Sequence, residues 1–390
     1  MSRVDELIAE LAPEGVEIKT LGDVGQFVRG NGLQKSDLTD EGAPAIHYGQ
    51  VHTHYGVWAD TTKSFTDPEY AGRLRRAKHG DLVIATTSED DAAVAKATAW
   101  LGESEAAVSG DAYIYRHELD PKYVAYFFGS TMFQDQKARH ITGTKVRRVS
   151  GDALAKIRIP VPPIEVQREI AGILDKFTRL EAELEAELEA RRNQYVHYRR
   201  ELLDLGVETP LGALGDLARN LDSRRKPVTK GARTSGDIPY YGASGVVDYV
   251  SGYIFDGDYL LVSEDGANLL ARSTPIAFSI TGKTWVNNHA HVLEFETYAE
   301  RRFVEIYLNS IDLAPFVSGA AQPKLNKANL NRIPVPNPPI EEKQRIVALL
   351  DKFDTLVNDL SVGLPAEITA RRKQYAFYRD KLLAIGEAAA

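Results

Sequence analysis

The sequence predicts a mixed α/β protein built as a tandem duplication. Two α/β domains are separated by a long antiparallel two-helix coiled coil, with a pseudo-two-fold axis relating the halves. Three observations carry this. IRIPVPPIEVQREIAGILDKF, ending at Phe177, returns as NRIPVPNPPIEEKQRIVALLDKF, ending at Phe353. ARRNQYVHYRRELL (190–203) returns as ARRKQYAFYRDKLL (370–383), with nine of fourteen positions identical. Ahead of each copy, short β-rich runs such as LVIATT and YLLVS alternate with Gly- and Asn-containing turns.

The first domain is expected over residues 1–160, with an N-terminal helix, and the second over 207–336. They correspond faintly: TLGDV (20–24) with PLGAL (210–214), IHYGQ (46–50) with PYYGA (239–243), GDLVIATTSED (80–90) with GDYLLVSEDGA (257–267). A shared scaffold with differing detail follows.

The first coil helix is expected over 161–206. Pro160, Pro162 and Pro163 can start it, and no further Pro occurs before Leu205. Positions 174, 177, 181, 184, 188, 191, 195, 198, 202 and 205 follow heptad spacing, all apolar or Tyr except Glu181 and Arg191. The second helix, expected over 337–390, repeats the seam from Leu350 and carries a four-residue stutter, with a kink near Gly363 and Pro365. About five residues (206–210) join the first helix to the second domain, which predicts one domain at each end of an antiparallel pair.

The 390 residues include no Cys, which excludes disulfides and thiolate chemistry and suits a reducing cytoplasm. The start is acidic rather than signal-like, and no run approaches the ~18 apolar residues of a membrane span. A cytoplasmic chain without a membrane partner is expected. The net charge of −8 opposes nucleic acid on average, but binding depends on local patches. Lys137, Arg139, Lys145, Arg147, Arg148, Lys156 and Arg158 are accompanied only by Asp152. Arg219, Arg224, Arg225, Lys226, Lys230 and Arg233 fall within fifteen residues, and Lys324 and Lys327 follow. A single such run is usually solvated surface; matching runs in two copies favour phosphate contact. The Gly-containing loops add Arg29, Asn31, Gln34 and Lys35; Gln50, His52 and His54; and Tyr241 with Ser244. These side chains suit hydrogen bonds to base edges.

Three chemical motifs fail. Asn337-Pro338-Pro339-Ile340 resembles the N-P-P-[FY] motif of adenine methyltransferases, but no aromatic follows and the first copy has Val161 in place of the Asn. Gly282-Lys283-Thr284 lacks the first Gly of a P-loop, since that position is Ala277. His47, His52 and His54 lack Cys or carboxylate support for a metal. Neither a catalytic group nor a metal site is expected.

The duplicated IPVPP…LDKF…ARRxQYxxYRxxLL segments resemble the two conserved regions of the Type I restriction–modification specificity subunit family, and the resemblance covers nearly the whole chain. It implies that the α/β domains are target-recognition domains reading double-stranded DNA at a bipartite, asymmetric site. It further implies a non-catalytic subunit that binds two adenine-N6 methylation subunits and, through them, restriction subunits. S-adenosylmethionine, ATP and Mg then belong to those partners, and no cofactor to this chain. Tyr195, Tyr198, Tyr375 and Tyr378, alike in both copies, are the expected partner-binding residues. From its first helix to its second coil the chain reads as complete. A coiled-coil scaffold that touches no DNA, and a self-contained methyltransferase or nuclease, stay open as alternatives.

Overall fold

The computed structural model describes residues 2–319 and 322–385. It divides into two compact units, Met1–Glu185 with Glu367–Ala390, and Ala186–Ala366.

The first unit is built on a five-stranded sheet in the order Gly25–Arg29, Ala112–His117, Leu82–Ala85, Lys96–Trp100, Trp58–Ala59. Its central strand, Leu82–Ala85, is buried along its whole length, as expected of a strand covered on both faces. A second sheet runs Ser64–Thr66, Ala43–Ile46, Ala106–Val108, Arg76–Ala77. The second unit repeats the plan. Arg219–Asn220, Ala290–Glu294, Tyr259–Ser263 and Ala277–Ile280 form a four-stranded sheet that matches the first four strands of the five in order, and Tyr259–Ser263 is again wholly buried. In each unit a two-stranded ribbon ties the start of the domain to the Pro-rich strand before the coil. Glu17–Thr20 pairs with Arg158–Val161, and Leu211–Ala213 with Pro334–Pro336.

One helix in each domain packs beside its sheet. Pro121–Phe128 begins with Pro in the first turn under an Asp120 cap. Tyr298–Ser310 begins with a capping box between Thr297 and Glu300. Both starts satisfy backbone N–H groups that the helix itself leaves free. Tyr123, Phe127 and Phe133 fill the first core, Phe303, Val304 and Leu308 the second.

The long helix Ile164–Leu203 is unbroken over 40 residues, about 60 Å at 1.5 Å per residue. Within the first unit Phe177 stacks on Tyr378 at 5.6 Å, and Arg372 binds Glu181 at 2.6 Å and also Glu185. Ascending numbers on one helix meet descending numbers on the other, so the pair is antiparallel there. Within the second unit Tyr195 and Tyr198 lie 6.4 and 5.4 Å from Phe353.

The second coil segment is two helices, Ile340–Asn358 and Leu364–Leu383. The interruption starts at Asp359, whose carboxylate accepts from the N–H groups of Ser361 (2.7 Å) and Val362 (3.2 Å). Pro365 falls in the first turn of the following helix, where a missing N–H costs nothing. Among the described residues no helix is long and apolar enough to cross a membrane.

Candidate nucleic-acid interface

In both units the loop after the buried central strand is a gathering point. In the first, Thr87–Ser88 pairs with Arg147–Arg148, and the Thr87 carbonyl accepts from His52 Nε2 at 2.9 Å. Arg147 Nε binds Asp91 at 2.7 Å and its Nη1 donates to the Gly143 carbonyl. The hairpin tip leaves Lys145 and Arg148 exposed. A neighbouring loop is assembled by Arg29, whose Nε donates to the Gly110 carbonyl at 2.8 Å. Asn31 Oδ1 accepts from the Arg75 N–H, and Arg75 Nη1 returns to the Arg29 carbonyl, both at 2.6 Å. Gly30 makes this crossing possible: a Cβ there would lie 2.2 Å from the Ser109 carbonyl oxygen. Gln34 and Lys35 beyond it are exposed, as is His54.

Three first-domain residues serve the framework instead of a free surface. Gln50 and His52 lie not on a loop, as the sequence suggests, but on the short helix Tyr48–Thr53. Gln50 is half-buried; its Oε1 accepts from the His47 N–H (3.1 Å) and its Nε2 donates to Ser64 (2.8 Å). His52 is half-buried, and burial lowers its pKa. Lys137, part of the first basic run, is 1% exposed and donates to the carbonyls of Ala92 (3.1 Å) and Val94 (2.9 Å). Burial pulls its pKa down to about 8.

In the second unit the corresponding loop carries Glu264, the centre of a buried charge network. Glu264 accepts from Arg225 Nη1 at 2.6 Å and Lys324 Nζ at 3.1 Å. Arg225 also meets Asp222 at 3.4 Å and donates to the Ala290 carbonyl at 2.8 Å, with its side chain only 13% exposed. His291, 1% exposed, places Nδ1 2.6 Å from Asp222 and Nε2 2.7 Å from the Leu325 carbonyl. Both ring nitrogens thus face oxygen atoms. Burial opposes ionisation of Asp222, but the His291 hydrogen bond and charge hold its pKa below the usual value. Burial likewise opposes ionisation of Glu264, and the Arg225 and Lys324 hydrogen bonds with the neighbouring charges of His291 and Arg225 together outweigh it. Asp222, Glu264 and His291 come within 4.8 Å of one another, yet the carboxylates already meet Arg225, Lys324 and the imidazole. A metal ion would have to displace Arg225. The sequence suggests Arg225 as a phosphate ligand; the fold commits it to this network, and Lys324 half so. The signals missed were Asp222 just ahead of a basic run and His291 inside the apolar strand Ala290–Glu294.

The remaining second-domain candidates lie apart. Arg224 is exposed over the Phe255 ring at 4.9 Å. Arg219 pairs with Glu294 while staying largely exposed. Lys226, Lys230 and Lys327 are exposed, and Ser244 occupies a hairpin turn. Tyr241 is half-buried, 6.1 Å from Phe278.

The coil tyrosines pack the seam. Tyr375 and Tyr195 are half-buried, and burial raises their pKa. Tyr378 keeps an exposed edge, and beside it Phe377 is 62% exposed. Asn337 of the rejected methyltransferase motif serves the helix start, accepting from Lys343 Nζ at 2.6 Å.

Two α/β domains of one plan, each carried on helix and each with exposed cations on its loops, define a duplicated modular protein. The chain belongs to the type I restriction modification DNA specificity domain family, whose model matches residues 13–190 and again 210–370. It is 31% identical over 286 residues to the specificity subunit of a type I restriction enzyme of Escherichia coli, covering 67% of this chain and 70% of that one. It is 40% identical over 186 residues to a Haemophilus influenzae protein named for the same role. That match covers 47% of this chain and 48% of the relative, about half its length. Among solved structures, the S subunit of a type I restriction–modification system from M. genitalium superposes with TM-score 0.56 at 16% identity, over 94% of this chain and 96% of that one. A chain from a type I restriction–modification assembly superposes with TM-score 0.62 at 17% identity, over 95% and 98%.

Proposed function

We propose that this chain is the DNA-specificity subunit of a type I restriction–modification enzyme, itself without catalytic activity. It reads double-stranded DNA at a bipartite, asymmetric site and recruits two methylation subunits and, with them, restriction subunits. S-adenosylmethionine, ATP and Mg act on those partners. One observation carries the reading: a single scaffold occurs twice with different exposed loop residues. Arg29, Gln34, Lys35, Lys145 and Arg148 are offered by one domain, Arg224, Lys226, Lys230 and Lys327 by the other. Unlike loops read unlike bases, so the half-sites differ; identical domains would read a palindrome. The near-identical coil segments supply equivalent docking sites for equivalent partners, with exposed His197 and Phe377 beside the seam tyrosines. The test is methylome mapping in cells with and without the gene. A two-part adenine motif present only with the gene is expected. A continuous or palindromic motif, or methyl transfer by the purified chain alone, would overturn the reading.

A further inference from the structure

One four-residue contact occurs once in each unit. In the first, Asp175 on the long helix accepts from Lys122 Nζ (2.6 Å) and from the Tyr126 hydroxyl (2.7 Å). Both donors stand on the domain helix Pro121–Phe128, and the Tyr126 hydroxyl also lies 3.2 Å from Thr178 Oγ1. In the second, Asp351 accepts from the Tyr298 hydroxyl (2.6 Å) and from Arg302 Nε (2.7 Å), both on the helix Tyr298–Ser310. Arg302 Nη2 reaches Asp354 at 2.9 Å.

All four positions keep one offset of 176 residues: 298 minus 122, 302 minus 126, 351 minus 175 and 354 minus 178. The aspartate, from the LDKF motif, is common to both copies. The cation and the tyrosine exchange places around it. The fourth residue follows them: Thr178 faces a tyrosine, Asp354 faces an arginine. The i,i+4 spacing of the two donors puts them on one helical face. Lys122, Asp175, Arg302 and Asp351 are all only partly exposed, so these pairs are less screened than surface ion pairs.

Each contact reaches its domain's sheet. Lys122 Nζ also sits 4.2 Å over the ring of Trp58, on an edge strand. Arg302 also binds Glu305, which accepts from Ser279 on the edge strand Ala277–Ile280.

We infer that Asp175 and Asp351 are positioning residues for DNA specificity: each seats its own domain on the coil, and residue 178 or 354 is keyed to the domain seated there. The inference rests on the domains being DNA-reading modules; the seating rests on the contacts alone. A mismatched key leaves a partly buried group without its partner. Arg302 facing a threonine loses an acid, and a carboxylate facing Tyr126 gains no cation.

Two measurements on the full chain test this. Hydrogen exchange is followed in Asp175→Asn, Asp351→Asn and Thr178→Asp. Asp175→Asn should speed exchange in residues 121–128 roughly ten- to hundredfold, the span of a charged hydrogen bond, and leave 298–310 unchanged. Asp351→Asn should do the reverse. Thr178→Asp should loosen 121–128, and adding Lys122→Tyr with Tyr126→Arg, which transplants the second arrangement, should restore protection. In cells with partner subunits, Asp175→Asn should blur one half of the methylated motif or admit a second spacer length, and Asp351→Asn should act on the other half. Equal loosening of both helices by either variant would overturn the seating. A triple variant no better than Thr178→Asp would overturn the keying. Selective loosening with an unchanged motif would overturn the positioning role. Tyr298→Phe and Lys122→Met, each removing one donor, give the same readings if a stronger change unfolds the chain. A wild type that directs no two-part motif would fail the proposed function and leave the exchange results standing.

Discussion

Arg224, Arg225 and Lys226 are adjacent cations with different roles. Arg225 neutralises two carboxylates under the surface, while its neighbours face solvent. Charge runs in a sequence cannot separate these roles, because the separating partners, Glu264 and the Ala290 carbonyl, lie far along the chain. Arg225→Ala should therefore destabilise the second unit by about 3 kcal/mol, the cost of breaking a buried pair, seen as a lowered melting temperature. Arg224→Ala should leave stability within about 0.5 kcal/mol and reduce the log–log salt slope of DNA binding by about one. Equal melting losses for the two would remove the distinction. A second residue sets a pH limit. Burial pushes the pKa of His117, tilted against the Tyr115 ring at 5.0 Å, down to about 4, against a smaller opposing pull from the Leu119 backbone. The unfolded chain titrates near 6.5. The neutral ring thus contributes fully above about 6.5, and its contribution is lost as pH falls from there to about 4, at most on the order of 3 kcal/mol. Thermal melts from pH 7 to 4.5 should show this loss in wild type and a flatter profile in His117→Phe.

At the scale of elements, the coil was legible because its signal is local and repeated. Phe177, Tyr195, Phe353 and Tyr375 fall on the heptad seam and meet across it within their own units. The break was legible as a region but not as a mechanism. Gly363 and Pro365 mark it in the sequence, whereas the helix ends at Asn358 and is turned by the Asp359 carboxylate. Gly363 still matters sterically, since a Cβ there would lie 2.5 Å from the Thr355 carbonyl oxygen and 2.8 Å from those of Leu356 and Asp359. Gly363→Ala should cost about 1–3 kcal/mol by forcing the connection outward. A denaturant midpoint equal to wild type would show that the connection yields freely. Loop candidates were the least legible. Gln50 and His52 carry the same chemistry whether they face a base or brace a neighbouring loop, and only the fold places Ser64 and Thr87 beside them.

At the scale of the whole molecule, duplication is the organising fact. Two sheets share the order of four strands, two ribbons close the domains, and the segments with the strongest sequence likeness are helical rather than β. Helical likeness was plain because one seam constrains both copies. Likeness between the domains was faint because a buried strand needs only bulk and branching, satisfied as well by Leu82–Ala85 as by Tyr259–Ser263. The aspartate seats have a consequence for inheritance. The LDKF motif is where one copy most resembles the other, and so where genetic exchange between copies, or between related genes, finds matched sequence. Residues 178 and 354 lie just past it. A crossover before or within the motif takes a domain away from its key and joins Tyr126 to an aspartate, or Arg302 to a threonine. A crossover a few codons later carries domain and key together. Functional hybrids should therefore have junctions clustered just downstream of codon 178, inside the acidic stretch of the long helix, or just downstream of codon 354, toward the break at Asp359, although the fully matched LDKF sequence lies immediately upstream.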